Sequence, residues 1–506
     1  MNSMKQLETL RASGGAVRTR GLDDDVIRRF AERDPRLVQA IADASAAFEH
    51  WRAQFPRLAA ADEAEQIHAL QSGLVNFYAD DQVNPFVALG AHGPWIVTSK
   101  GAVIHDNGGY GMLGFGHAPS HVLAAMGGRQ VMANVMTASV SHLRFVEALR
   151  RELGHVRGSC PFDRFVCLNS GSEAMTLALR LADVNAKLMT EADGRHAGKP
   201  VRAAAMRRSF HGRTDRPAQV SDSTRKAYQS HLASFRDRAP LLTVEPNDAA
   251  ALRELYARAD AQGFFIEALL LEPVMGEGNP GLAVTREFYD VARALAREHG
   301  TLFVIDSIQA GLRAHGCLSI VDYPGFEGCE PPDVESYSKA LNAGQYPLSV
   351  LALSERASAL YRKGIYGNTM TTNPRALDVA CAVLASITPA LRANIRERGA
   401  ELVGRFRTLA DELDGRITQV QGTGLLMSVE LDPTYKCYGA GSTEEYLRMH
   451  GLGVIHGGDN SLRFTPHFGL TSDEIELIVG AVRKALLEGP HAARFEAQEE
   501  EQAVGI

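Results

Sequence analysis

The chain has 506 residues, with apolar residues at 45%, charged residues at 22% and a net charge of −7, the balance of a large globular protein with a sizeable core. No basic tract stands out and no apolar run reaches the roughly 20 residues that span a bilayer, which excludes nucleic-acid and membrane partners at this level. The six cysteines lack C-x-x-C spacing, predicting reduced thiols and no metal, and the N-terminus lacks an apolar signal core, predicting a cytoplasmic protein.

Residues 1–80 carry helical spacing, as in D-D-D-V-I-R-R-F-A, and nothing that suggests chemistry, so a packing or dimer-capping extension is predicted. Short strands follow in W-I-V-T and A-V-I-H-D, then a glycine-rich piece from Gly108 to His117. Strands are predicted over 164–168, 201–206, 268–272, 301–306 and 348–353, with helical patterns between them such as Thr285–His299, ended by Gly300. That alternation argues a mainly parallel α/β sheet. A single helix is predicted over about 373–412, and Q-V-Q-G-T-G-L-L-M-S-V-E-L reads as one strand. L-R-F-T-P-H-F reads as a turn, T-S-D-E-I-E-L opens a capped helix, and the acidic tail after Gly489 is expected to fray.

Two side chains organise the chemistry. Asp306 ends the apolar run Thr301–Ile305, where open α/β sheets place their ligands, and Lys339 sits in S-Y-S-K-A-L. An acid for a pyridinium nitrogen and a lysine for a Schiff base are what pyridoxal 5′-phosphate (PLP) needs from a protein. Ser170, Gly171 and Ser172 of N-S-G-S-E-A follow a strand and open a helix, offering N–H groups and hydroxyls to an anion, although the fragment alone is as often a simple N-cap. In S-F-H-G-R-T, Phe210 is able to stack on a flat ring and Arg213 to fork onto a carboxylate; alone, such a pair is more often packing and a surface charge. Glu272 and Glu277 of L-E-P-V-M-G-E-G end another strand, and two acids beside Asp306 and Lys339 suggest a site.

These pieces, with N-T-M-T-T-N-P, G-T-G-L-L-M-S-V-E-L and L-R-F-T-P after them, resemble the class III (ω-type) aminotransferases of PLP fold type I from about residue 95 to 488. The resemblance implies a large domain with a mainly parallel seven-stranded sheet covered by helices, and a small α+β domain built from N- and C-terminal parts. The implied division is an extension over 1–80, small-domain residues 81–150 and 376–488, a PLP-binding domain over 151–375, and a disordered tail over 489–506.

It also implies roles. Lys339 is the Schiff-base lysine and proton shuttle. Asp306 pairs with the ring nitrogen, Gln309 with the ring's 3-oxygen, and Phe210 and Ile308 sandwich the ring. Ser170, Gly171 and Ser172 hold the phosphate, His211 belongs to the cofactor site, and Thr369 reaches the phosphate from a second subunit, so a homodimer with shared sites is expected. Arg213 and Arg463 take substrate carboxylates, and Glu277 masks Arg463 when none is bound. The expected reaction moves an amino group from an amine or amino acid to a 2-oxo acid, ping-pong, through an internal aldimine and pyridoxamine phosphate. A decarboxylase, racemase, lyase or C–C bond-forming PLP enzyme shares the same residues and stays open as the alternative.

The chain departs from the family where Ser307 replaces the usual acid after Asp306, where Met370, Thr371 and Thr372 replace small residues, and where Arg313 is displaced by one position. Asn342, Gln345 and Tyr346 follow the lysine in place of a glycine-rich run. These changes leave the cofactor chemistry intact and bear on the substrate.

Overall fold

Seven strands between residues 164 and 353, most of them apolar runs, form one sheet: β1 (Arg164–Leu168), β2 (Val201–Met206), β3 (Leu242–Val244), β4 (Phe265–Leu271), β5 (Leu302–Asp306), β6 (Val334–Tyr337) and β7 (Ser349–Leu353). Their order is β1-β7-β6-β5-β4-β2-β3. Only β7 runs antiparallel, to both β1 and β6. Every residue of β4, β5, β6 and β7 is buried, as strands covered by helices on both faces require. The computed structural model describes residues 3–132, 135–236 and 241–504.

The chain forms two compact units. One comprises Ser120–Arg396 and Gly422–Leu426 and holds the seven-stranded sheet; the other comprises Met1–Pro119, Glu397–Gln421 and Met427–Ile506. In the second unit the N-terminal helices bury Leu7, Ile27, Phe30, Ile41 and Phe48 in one cluster with Trp95, Val97 and Val103. Helix Pro35–Gln54 lies against strand Ala88–His92, and Gly90 allows the approach, since a Cβ there would strike the backbone of Ala40 and Ala44.

Four expectations are corrected. The helix over 373–412 is two, Pro374–Ala385 and Pro389–Glu412, bent by 74°. Pro389 has no N–H to continue the ladder and disfavours helical backbone before it. The segment around Gly422 is two strands, Ile417–Thr423 and Leu426–Leu431, because Gly424 turns the chain at φ 57°. L-R-F is not a turn: Ser461–Phe464 is a fully buried strand paired with Leu426–Leu431, and full burial erases the alternation by which a strand is read. The acidic tail forms helix Ala492–Val504, anchored by buried Phe495, which meets Tyr435 at 5.7 Å and the Arg416 guanidinium at 4.6 Å. Thr471 caps the helix as expected, and Glu474 completes a capping box with it. No single described helix is long and apolar enough to cross a membrane.

Candidate active site

The parallel strands deliver the motif residues to one edge of the sheet. Phe210 and His211 follow β2, Glu272 follows β4, Asp306 ends β5, and Lys339 follows β6. That C-terminal edge is where open α/β sheets bind ligands, because the loops leave the strands there and helix N-termini face it.

Asp306 is 5% exposed and both its oxygens are engaged. The His211 imidazole donates from Nδ1 to Oδ2 at 2.8 Å. Ser336 Oγ donates to Oδ1 at 3.1 Å, and Ile308 N to the same oxygen at 3.2 Å. His211 is buried and held in turn, its backbone N–H donating to Ser221 Oγ at 2.9 Å. A buried carboxylate persists only with such partners.

Beside it, Ser170 caps helix Gly171–Thr190, accepting from Glu173 N, which leaves the N–H groups of the first turn aimed outward. Small residues are required here. A Cβ on Gly171 would lie 2.8 Å from Ile308 Cδ1, and one on Gly212 would lie 2.5 Å from Ser172 Oγ. A Cβ on Gly276 would strike the Gln309 amide, so the Gln309 side chain lies across that glycine. Lys339 is half-buried with φ 45°, a left-handed backbone that strains a residue bearing a Cβ. Ser338 and Asn342 flank it and both donate to Leu348 O at 2.9 Å.

The two arginines expected to take carboxylates belong to different units. Arg213 is exposed, with its guanidinium 5.3 Å from the Phe210 ring centre and 3.8 Å from Glu277 Oε1. Arg463 belongs to the other unit, on strand Ser461–Phe464, 2% exposed and 5.4 Å from the Tyr110 ring centre. Thr369 is exposed, next to exposed Met370. Displaced Arg313 is fully buried and donates to Leu425 O at 3.1 Å; burial pulls its pKa down to about 9.

Two buried carboxyls lie beside these residues: Glu272, which the sequence singles out without a role, and Glu335, which it does not single out. Glu272 accepts from Phe210 N and Gly276 N, both at 2.9 Å, and burial pushes its pKa up to about 7. Glu335 accepts from Ser307 Oγ at 2.6 Å, Ser319 Oγ at 2.5 Å and Ile320 N at 3.0 Å, and burial likewise pushes it up to about 7. The acid missing at Ser307 therefore stands across from it, on β6. No single-strand pattern reveals this, since the contact depends on how β5 and β6 pair. Between about pH 4.5 and 7 the folded protein holds protons that the unfolded chain has released, so these groups make stability fall as pH rises through that window. Denaturant unfolding at about pH 5 and about pH 8 should show a smaller fall in Glu335→Gln than in the parent. An identical pH dependence would mean that Glu335 does not hold its proton.

His105, His467 and Glu474 bring their ligand atoms within 4.8 Å of one another in the other unit. Glu474 Oε1 also lies 3.6 Å from Arg36, and Oε2 accepts from Thr471 N and Oγ1 at 2.7 and 2.8 Å. A guanidinium and a helix N-terminus already neutralise this carboxylate, an arrangement suited to anchoring rather than to a dication.

Comparison with known proteins decides the family. The model of the family "Aminotransferase class-III" matches residues 77–486. The chain belongs to the class III aminotransferases. It is 30% identical over 404 residues to the acetylornithine aminotransferase of Thermosynechococcus vestitus, covering 77% of this chain and 92% of that one. It is 27% identical over 405 residues to ornithine aminotransferase 2 of Staphylococcus aureus, covering 79% and 93%. Among solved structures, the ornithine aminotransferase of Toxoplasma gondii superposes with a TM-score of 0.72 at 22% identity, over 87% of this chain and 97% of that one. The taurine:2-oxoglutarate aminotransferase of Bifidobacterium kashiwanohense, solved with PLP and glutamate, gives 0.69 at 16% identity, over 83% and 97%. The fold is PLP fold type I, and the protein is a PLP-dependent transaminase acting on amino-acid and 2-oxo-acid substrates. The relatives named here are aminotransferases, consistent with transamination.

The residues present fit the cofactor. A capped helix start with free N–H groups suits a phosphate, the glycines at 171, 212 and 276 leave room that a Cβ would fill, and a fully engaged buried carboxylate ends the central strand.

Proposed function

We propose that this class III aminotransferase holds PLP by a Schiff base on Lys339 and works as a homodimer that shares its sites. The observation that carries the reading is Asp306, buried between His211 and Ser336 on the sheet edge from which Lys339 also projects. PLP, when bound, supplies the carbonyl that takes the amino group and a ring that draws electrons from the substrate's α-carbon. Asp306 would face the ring nitrogen, and His211 orients Asp306 through the 2.8 Å contact to Oδ2. Phe210 and Ile308 hold the ring flat, and Gln309 bonds its 3-oxygen. The first turn of helix Gly171–Thr190, with Ser170 and Ser172, binds the phosphate. The Lys339 amine, once free, would take up the proton of the substrate's α-carbon. Six unpaired cysteines support a reducing, cytoplasmic setting, and the shared cluster with Trp95 supports the first 80 residues as a packing extension.

The donor is an amino acid whose carboxylate is met by Arg463 or Arg213. The ornithine and acetylornithine aminotransferases among the relatives support a donor amino group carried on a chain with its own α-carboxylate. A spectrophotometric amino-donor screen, with the oxo product identified by mass, tests the reading. Arg463→Ala should raise KM for the carboxylate-bearing donor at least tens-fold, since removing one partner of a desolvated charge pair costs roughly 2–5 kcal/mol, and should leave PLP affinity nearly unchanged. Glu277→Ala should shift preference toward α-carboxylate donors. An unchanged KM in Arg463→Ala would move carboxylate recognition to Arg213, the arginine that Glu277 faces at 3.8 Å.

The dimer is supported by exposed apolar side chains around one hollow. Val131 and Val140 line it with Thr372 and Pro374, while Met132, Val135, Met136, Leu143 and Met370 stand exposed in the flanking segments. Met136→Asp with Leu143→Asp should give a monomer by sedimentation that has lost most activity, and Thr369→Ala should weaken PLP binding without dissociating the dimer. A monomer of full activity would contradict the shared site.

A further inference from the structure

We propose that Ser336 is a positioning residue for Asp306, fixing the plane in which that carboxylate faces the ring nitrogen. The inference rests on the reading of Asp306 as the nitrogen's partner. An aspartate carboxylate rotates about its last bond in a broad well, so one hydrogen bond leaves its plane free. Here His211 holds Oδ2 at 2.8 Å and Ser336 Oγ holds Oδ1 at 3.1 Å. The Ile308 N–H on Oδ1 is a local turn contact two residues away and moves with Asp306 itself. Ser336 reaches Asp306 from the neighbouring strand and so refers the carboxylate to the sheet.

The place of Ser336 is itself secured. Residues 306 and 336 are directly paired in the β5–β6 ladder, and Ser307 N donates to Ser336 O at 3.1 Å. On alternating side chains, Ser307 Oγ donates to Glu335 Oε1 at 2.6 Å, and Ser319 Oγ holds Oε2. The transposed acid thus ties together the two strands that carry Asp306 and lead to Lys339. Ser336 is fully buried, so no water replaces its hydroxyl.

The test compares Ser336→Thr with Ser336→Val, which have the same shape and differ only in the hydroxyl, alongside Ser336→Ala and Asp306→Asn. Each is measured for PLP Kd by equilibrium dialysis, for the pH midpoint of the bound cofactor's visible absorbance, and for the fold of the apoprotein by circular dichroism. Ala and Val should bind PLP about tenfold more weakly and shift the absorbance midpoint, while Thr retains both parent values. Parent-like Kd and midpoint in folded Ala or Val, or equal losses in Thr and Val together with a parent-like Ala, overturn the proposal. If Asp306→Asn also leaves Kd and midpoint unchanged, the reading of Asp306 fails; if Asp306→Asn alone changes them, only the role of Ser336 falls.

Discussion

Lys339→Ala will bind PLP but form no borohydride-reducible lysine adduct, and its transamination rate will fall by at least ~10³-fold, because in the proposed site one amine serves as both the covalent anchor and the proton carrier. The sheet-bearing unit offers few substitutes. Lys187, Lys226 and Lys363 are exposed, and Lys199 lies 4.0 Å from Asp260. None follows a strand of the catalytic edge as Lys339 follows β6. The left-handed backbone at Lys339, held by the Ser338 and Asn342 bonds to Leu348 O, fixes where the side chain starts. Alanine tolerates that backbone as well as lysine does, so the fold should persist and the loss should be chemical. Mass spectrometry after borohydride reduction checks this, and an adduct that survives the substitution would place the Schiff base on another lysine.

Asp306→Asn will keep the fold and lose about 10²- to 10³-fold in kcat, the scale of removing one preorganised electrostatic partner of the transition state. The amide has the same shape, and its oxygen still accepts one of the donors from His211 and Ser336. Its NH2 then faces the remaining donor, so one buried bond is lost together with the charge. Without that charge nothing holds the ring nitrogen protonated, and the α-proton becomes harder to remove. Single-turnover kinetics with PLP saturating separates this loss from weakened cofactor binding. Near-parent turnover would mean that another group organises the ring nitrogen.

The strands at 164–168 and 201–206 were legible residue by residue because apolar runs of that length, cut off by glycine, serine or charged residues, have few other uses. The motifs were legible for the same reason: N-S-G-S-E-A, S-F-H-G-R-T and D-S-I-Q-A-G each follow such a run, and the edge they share is a consequence of parallel pairing. The antiparallel β7 was not legible, since a fully buried strand reads alike in both directions. Nor was the break at Pro389, within a pattern that otherwise reads as one helix.

The sequence by itself determined the family and the cofactor, and it singled out Lys339 and Asp306 as the candidates for anchor and acid, because each is written in residue type and local spacing. Only the tertiary structure decided how Asp306 is held and where the missing acid went. Ser336 lies 30 positions from Asp306 and Glu335 lies 28 from Ser307. Whether such residues meet is set by the pairing of β5 with β6, a long-range contact that leaves no periodicity in either strand.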